Sequence, residues 1–209
     1  RAAWGSDFMF SLLNLQSLLG LVVIVALCWA ISENRRVFPW KLALGAVAKF
    51  FALPTILTTS FESGPNGPLV PELKAQFPDA PFIPRPGQIN AWDNDDFVKA
   101  VKATGRKQLI IAGVVTEVCV AFPALSALNE GFEVFVVTDA SGTFNELTRQ
   151  SAWSRMEAAG AQLMTWFGVA CELHRDWRND IEGLGALFSN HIPDYRNLMT
   201  SYNTLTNGK

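Results

Sequence analysis

Cysteine, histidine and clustered positive charge are all scarce in this chain of 209 residues, and each scarcity closes off a class of function. The three cysteines, Cys28, Cys119 and Cys171, are odd in number, lie far apart and form no CxxC pair. Neither a disulfide framework nor a zinc site is indicated, and the usage fits a reducing, cytoplasmic compartment. The two histidines, His174 and His191, are too widely separated to put two imidazoles on one helix face, so neither a metal nor a cofactor is expected. Lys and Arg number 17 against 19 Asp and Glu, for a net charge of −2, and no basic cluster offers itself to phosphate, so nucleic acid is not an expected partner. Repeats and low-complexity tracts are also absent. The last absence is local: no charged residue occurs from Phe8 to Ser32, and no aspartate between Asp7 and Asp79.

The charge-free stretch has two readings. Leu12 to Ile31 (LLNLQSLLGLVVIVALCWAI) is long enough, as a helix, to cross a hydrocarbon core. Arg35, Arg36 and Lys41 follow it while only Arg1 precedes it, which would set the remaining chain on the cytoplasmic side of an inner membrane. The other reading is a buried element, because Val22, Val23, Ile24 and Val25 form the β-branched run that a central parallel strand uses.

After Lys41 the texture is that of an α/β domain, and the length suits one domain. Pro54 to Ser60, Gln108 to Val114, Glu133 to Ala140 and Gln162 to Phe167 are short apolar runs suited to strands covered on both faces. Helical stretches alternate with them. Asp95 to Thr104 spaces Phe97, Val98 and Val101 helically, with Asp95 and Asp96 where carboxylates suit the helix dipole. Val120 to Glu130 ends before Gly131, and Asn145 to Ala159 before Gly160, as helices that close on a glycine do. The alternation predicts a three-layer α/β fold, a parallel sheet with helices on both faces. Gly64 to Pro86, rich in Pro and Gly, reads as a long irregular segment of the kind that borders sites.

Chemistry concentrates at Gly113-Val114-Val115-Thr116-Glu117-Val118-Cys119-Val120. An apolar strand runs into a turn there, and Cys119 falls near the first turn of the following helix, where unpaired N–H groups favour a thiolate and can hold an oxyanion. In an open α/β sheet this is the carboxyl edge, where ligands bind. Asp139, at a strand end before a Ser-Gly turn, reads instead as a turn cap.

The wording of this stretch, Ile111 to Phe122 (IAGVVTEVCVAF), resembles the nucleophile motif of the isochorismatase-like hydrolases, strand-G-V-x-T-x-x-C-V. LPTILTTSFESGPNGPLVPEL, RPGQINAWDNDDF, VVTDASGTFNELTRQSAW and MTWFGVACELHRDWRND resemble the YcaC branch, and the likeness runs from about Ala48 to Lys209. It implies a triad of cysteine, basic residue and aspartate acting on a small amide or related C–N substrate through a covalent Cys119 intermediate. The basic position matches Arg85, and a guanidinium cannot exchange protons near neutrality, so its expected role is electrostatic. The resemblance also implies a cis peptide within Val114 to Thr116, with the Val115 and Thr116 backbone serving an oxyanion. It places Asn90 and Trp92 in contact with substrate, and it implies a large homo-oligomer, for which Phe188 to Leu205, rich in Tyr, Asn and Met, is the candidate surface.

The triad aspartate normally ends the first strand, in a phrase like LLVDHQ, and no such phrase is present. Leu15 to Val47 instead resembles the opening helix of the NupC-type concentrative nucleoside transporters, with SENRR followed by a PWK phrase. Two parts are therefore expected: a hydrophobic, transporter-like segment over 1–47 and a hydrolase domain over 48–209. The displaced strand is normally central, between those starting near Pro54 and Gln108. Val22 to Leu27 is a substitute for it, which would leave Cys28 or Trp29 near the aspartate's place and Glu33 as the nearest acid downstream. The expectation is a cysteine hydrolase of doubtful activity, the alternative an inactive or membrane-tethered fusion with a structural scaffold.

Overall fold

The computed structural model describes residues 21–26 and 34–206. Six parallel strands form one sheet: β1 (Leu21–Ala26), β2 (Thr55–Ser60), β3 (Phe82–Arg85), β4 (Gln108–Gly113), β5 (Glu133–Val137) and β6 (Gln162–Met164), in the order β3-β2-β1-β4-β5-β6. The helices are α1 (Asn34–Phe50), α2 (Pro71–Gln76), α3 (Asp95–Ala103), α4 (Ala121–Asn129), α5 (Glu146–Ala158), α6 (Trp166–His174), α7 (Ile181–His191) and α8 (Pro193–Thr206).

Strand alternation divides the apolar residues between two cores. Leu109 and Ile111 of β4, with Ile56, Val134 and Val136, pack on α3, α4 and α5 through Phe97, Ala124 and Met156. Ile110 and Ala112, with Leu57, Phe135 and Val137, pack on α1, α6 and α7 through Leu44, Trp166 and Phe188. The expected three-layer architecture is the observed one.

Local signals set most boundaries. Asn94 caps α3 by accepting the Phe97 amide at 2.9 Å, and Asn145 caps α5 through Thr148. Gly131 and Gly160, at φ 82° and 103°, take the left-handed conformation that closes α4 and α5. The strand expected over Gln162 to Phe167 stops at Met164, because Thr165 accepts the Gly168 amide and starts α6. The 64–86 segment, expected to be irregular, contains α2 and β3. Pro84 sits in a strand because β3 is the sheet's edge, where a missing N–H leaves no ladder bond unmade inside the sheet.

The membrane-spanning reading of Leu12 to Ile31 is corrected here. Leu21–Ala26 is a strand hydrogen-bonded on both edges, to β2 and to β4, and a strand inside a sheet cannot also be part of a spanning helix. Among the described residues no helix is long and apolar enough to cross a membrane. The rest of that stretch lies outside the described residues, as do Cys28, Trp29 and Glu33. The likeness of 15–47 to a transporter's first helix finds no support either: β1 lies within the sheet, and α1 runs across the expected 47/48 boundary with Ala43, Leu44, Val47 and Ala48 fully buried.

Because β1 is paired on both sides, a proline within it removes a ladder bond where no water can replace it. Ile24→Pro is expected to destabilise the protein by about 3 kcal/mol or more, whereas Leu163→Pro on the edge strand β6 costs about half as much or less. Urea unfolding of the two variants checks this, and equal losses would show that β1 carries no more of the sheet than its edge does.

Candidate active site

The carboxyl edges of β3, β2, β1 and β4 carry the groups that matter. At the end of β4 the Val114–Val115 peptide is cis, within the span expected. Val115 is extended, and Thr116–Val120 then form a π-helical turn leading directly into α4. Cys119 lies in that wide turn, half-buried, one residue before the buried Val120. Such turns recur at functional sites because the extra residue re-aims the side chains that it carries.

The turn is braced from the β5 side. The Thr116 amide and hydroxyl both donate to the Gly142 carbonyl, at 2.7 and 2.8 Å, and the Thr143 hydroxyl donates to Glu117 at 2.7 Å. An amide committed to a carbonyl at that distance is not an oxyanion donor, so Thr116 holds the turn and does not serve the anion. Glu117, the acid nearest Cys119 in sequence, is likewise engaged by Thr143. Gly142 and Thr143 also line a cavity of about 580 Å³ with Trp40, Asp139, Arg149 and Trp153, and neither Cys119 nor Arg85 is among its walls.

Arg85 ends β3 almost fully buried, at 2% exposure. Its Nε donates to Thr58 Oγ1 at 3.0 Å, and its Nη1 donates to the carbonyls of Gln88 and of Ile89, the latter at 3.2 Å. Ser60 also donates to the Gln88 carbonyl, at 3.0 Å. The guanidinium therefore bridges from the edge strand to Thr58 of β2 and to the loop that follows β3. Sequence reasoning missed Thr58 and Ser60. The available signal was three consecutive hydroxyls, Thr58, Thr59 and Ser60, ending an apolar strand, and all three are buried.

Asn90 and Trp92, expected to touch substrate, have their polar groups engaged by the protein itself. Trp92 wedges between Phe97 and Phe132, with ring centroids 6.0 and 5.6 Å away, and its indole donates to Glu130 at 2.8 Å. Glu130 follows the last residue of α4, whereas Cys119 precedes the first, so the ring packs at the opposite end of that helix. Asn90 accepts the Trp92 amide and donates to Asp93 and to Ser126 in the middle of α4, which uses both ends of its amide for structure.

Among the described residues no group of three or more His, Cys, Asp or Glu side chains is arranged to hold a metal. His174 is buried against Phe50 and Phe51, and His191 packs on Trp166. Burial pushes the Cys171 thiol above its ordinary range. Asp139 accepts the Trp166 amide at 2.9 Å and so caps α6, and it also takes its own amide and that of Ala140 at the turn, the capping role that its sequence position suggested.

A family model for the isochorismatase domain matches residues 56–167, over β2 to β6 and the cysteine turn just described but not β1. The chain belongs to the isochorismatase family. It is 85% identical over 168 residues to the probable hydrolase YcaC of Escherichia coli K12, spanning 80% of this chain and 81% of that protein. The crystal structure of the Escherichia coli ycaC gene product, an octameric hydrolase of unknown specificity, is similar with a TM-score of 0.85 at 74% identity, over 90% of this chain and 95% of that one. YcaC from Pseudomonas aeruginosa, solved with hexane-2,5-diol and covalent acrylamide, gives 0.84 at 63% identity, over 88% and 95% of the two chains.

Asp139 yields a test with a sign. Burial raises its carboxyl above the ordinary carboxylate range, and the amides of Trp166, Asp139 and Ala140 offset this only in part. A raised folded-state value makes its stability contribution fully present below the unfolded value of about 4, and lost as pH rises through the folded one. Asp139→Asn keeps an acceptor for Trp166 and cannot ionise. Its stability relative to the parent is therefore expected to improve as pH rises through and above the carboxylate range. Asp139→Ala loses the cap and about 1 kcal/mol. Denaturation midpoints across that range decide it, and a flat difference between the parent and Asp139→Asn would show that ionisation carries no penalty.

Proposed function

We propose that this chain is a cysteine hydrolase by descent, with Cys119 as nucleophile and Arg85 as its electrostatic partner, acting on a small amide or related C–N substrate. The observation that carries the reading is the half-buried Cys119 in a braced turn between the carboxyl end of β4 and the start of α4, on the same carboxyl edge of the sheet at which Arg85 is anchored to Thr58. A relative solved with covalent acrylamide is consistent with a nucleophilic side chain in this branch.

In the proposed reaction the Cys119 thiolate attacks the carbonyl carbon, and the oxyanion that forms is held by backbone amides of the turn, Val115's among them. Collapse breaks the C–N bond, and the leaving amine takes a proton. Water then attacks the thioester, releasing the acid and restoring the thiol. Arg85 keeps its charge throughout and stabilises thiolate and oxyanion without moving a proton. That task falls in the family pattern to an aspartate directly after β1, where this sequence has Leu27, Cys28 and Trp29. Loss of a general acid/base costs on the order of a hundred- to ten-thousand-fold in rate, which favours a second reading of the chain as a folded scaffold with little turnover.

The experiment compares three proteins on a panel of small amides: the parent, a graft in which a YcaC-type first strand and helix replace residues 1–47, and that graft carrying Cys119→Ala. The graft is expected to gain on the order of a hundredfold or more, and Cys119→Ala to abolish the gain. In the parent, a limiting alkylating agent is expected to label Cys119 before Cys171, whose thiol burial holds protonated. Activity that survives Cys119→Ala, or preferential labelling of Cys171 or Cys28, would remove Cys119 from its role.

We also propose a homo-oligomer, as the Escherichia coli relative is an octamer. Leu198, Tyr202 and Leu205 of α8 recur four and three residues apart and are 62%, 58% and 74% exposed, a stripe suited to a second copy. Leu198→Glu with Leu205→Glu is expected to lower the mass measured by light scattering. An unchanged mass would assign assembly to other surfaces.

A further inference from the structure

A buried guanidinium is useful to a reaction only if its plane and direction are fixed, and the contacts of Arg85 divide by origin. The carbonyls of Gln88 and Ile89 belong to the loop that Arg85 itself opens, so they fold the side chain against its own turn. Thr58 is a contact from another strand. Its hydroxyl lies 2.7 Å from the Ile83 carbonyl and donates to it, while Arg85 Nε donates to the same oxygen from 3.0 Å. One hydroxyl carries one proton, so commitment of that proton to Ile83 leaves Oγ1 an acceptor toward Nε. Thr58 is fully buried, so no water substitutes for it.

The register gives this contact a direction. Thr58 of β2 is paired with Ala26 of β1, and Ala26 with Gly113 of β4, the residue from which the cysteine turn departs. At about 4.8 Å per strand, the row Thr58–Ala26–Gly113 crosses roughly 10 Å of sheet. Arg85 Nε thus stands at the β2 end of a row whose other end is the start of the turn.

We infer that Thr58 is a positioning residue, whose hydroxyl directs Arg85 toward Cys119. The inference rests on the reading that Arg85 acts electrostatically on that cysteine, and the test separates the two. The rate of Cys119 alkylation by iodoacetamide is measured against pH in the full chain, with Cys171 in the same sample as reference. Thr58→Val keeps the shape and removes the acceptor. It is expected to move the Cys119 midpoint up by about one unit and to slow alkylation about tenfold below it. Arg85→Ala shifts the profile at least as far, Thr58→Ser retains the parent profile, and Cys171 does not move.

A Cys119 profile unchanged in Arg85→Ala overturns the role of Arg85, whatever Thr58 does. A profile shifted in Arg85→Ala but unchanged in Thr58→Val overturns the positioning role alone. So does a Thr58→Val shift of equal size in the Arg85→Ala background, since a merely structural threonine acts whether or not the arginine is present. Should Thr58→Val not fold, the Arg85 Nε–H resonance of the parent protein decides. Slow exchange with solvent supports the contact, and exchange at the rate of an exposed arginine overturns it.

Discussion

Everything at the candidate site depends on the pairing of β1 with both β2 and β4. A parallel strand in the middle of a sheet satisfies its amides and carbonyls on two sides, and without it two neighbouring strands would face each other across a dry gap. Leu21–Ala26 makes those bonds, and through them the end of β2 and the end of β4 come to lie in one row. The ladder asks only for extended, apolar backbone, and LVVIVA meets that requirement whatever its origin. Catalysis asks for more, because the residue just past the strand must also carry the right functional group. A segment can therefore satisfy the fold while leaving the chemistry short of an acid.

The two halves of the site are held by different means. On the β4 side a backbone turn carries Cys119, and a carbonyl from the neighbouring loop, that of Gly142, fixes it by taking two bonds from Thr116. On the β3 side a side chain, Arg85, is held by the Thr58 hydroxyl and by two carbonyls. Both arrangements keep charged or polar atoms satisfied inside a dry sheet edge, which is the condition for burying an arginine at all. The sheet supplies spacing, and the loops supply direction.

Much of this was legible in the chain. Strand–helix alternation and the two closing glycines pointed to the layers and several boundaries, because each depends on neighbouring residues alone. The cysteine turn was legible because an apolar strand, a turn and a helix start are consecutive in sequence. Leu12 to Ile31 was not, since length and apolarity are common to a spanning helix and a buried strand. Only partners more than thirty residues away, Thr55 and Gln108 among them, decide for the strand. Trp92 failed for a similar reason: its position beside a site motif said nothing of Phe132 and Glu130, which claim its ring and its N–H. Thr58 was invisible as a functional residue because hydroxyls in buried strands usually satisfy local backbone, and the arginine that it serves lies 27 residues further on.

The same contrast separates the candidate site from the sequence of its first strand. Cys119, its braces at Gly142 and Thr143, and Arg85 with Thr58 all come from residues 58–143, within the span that matches the family model. The first strand joins the neighbouring strands through ladder hydrogen bonds, which any extended sequence supplies. The contribution specific to that strand's own sequence is whatever follows Ala26. Replacement of the segment is thus expected to leave thiol and guanidinium in place and to alter only the handling of the proton. This makes the reactivity of Cys119 toward an alkylating agent, which needs a thiolate but no acid, separable from turnover of an amide, which needs both.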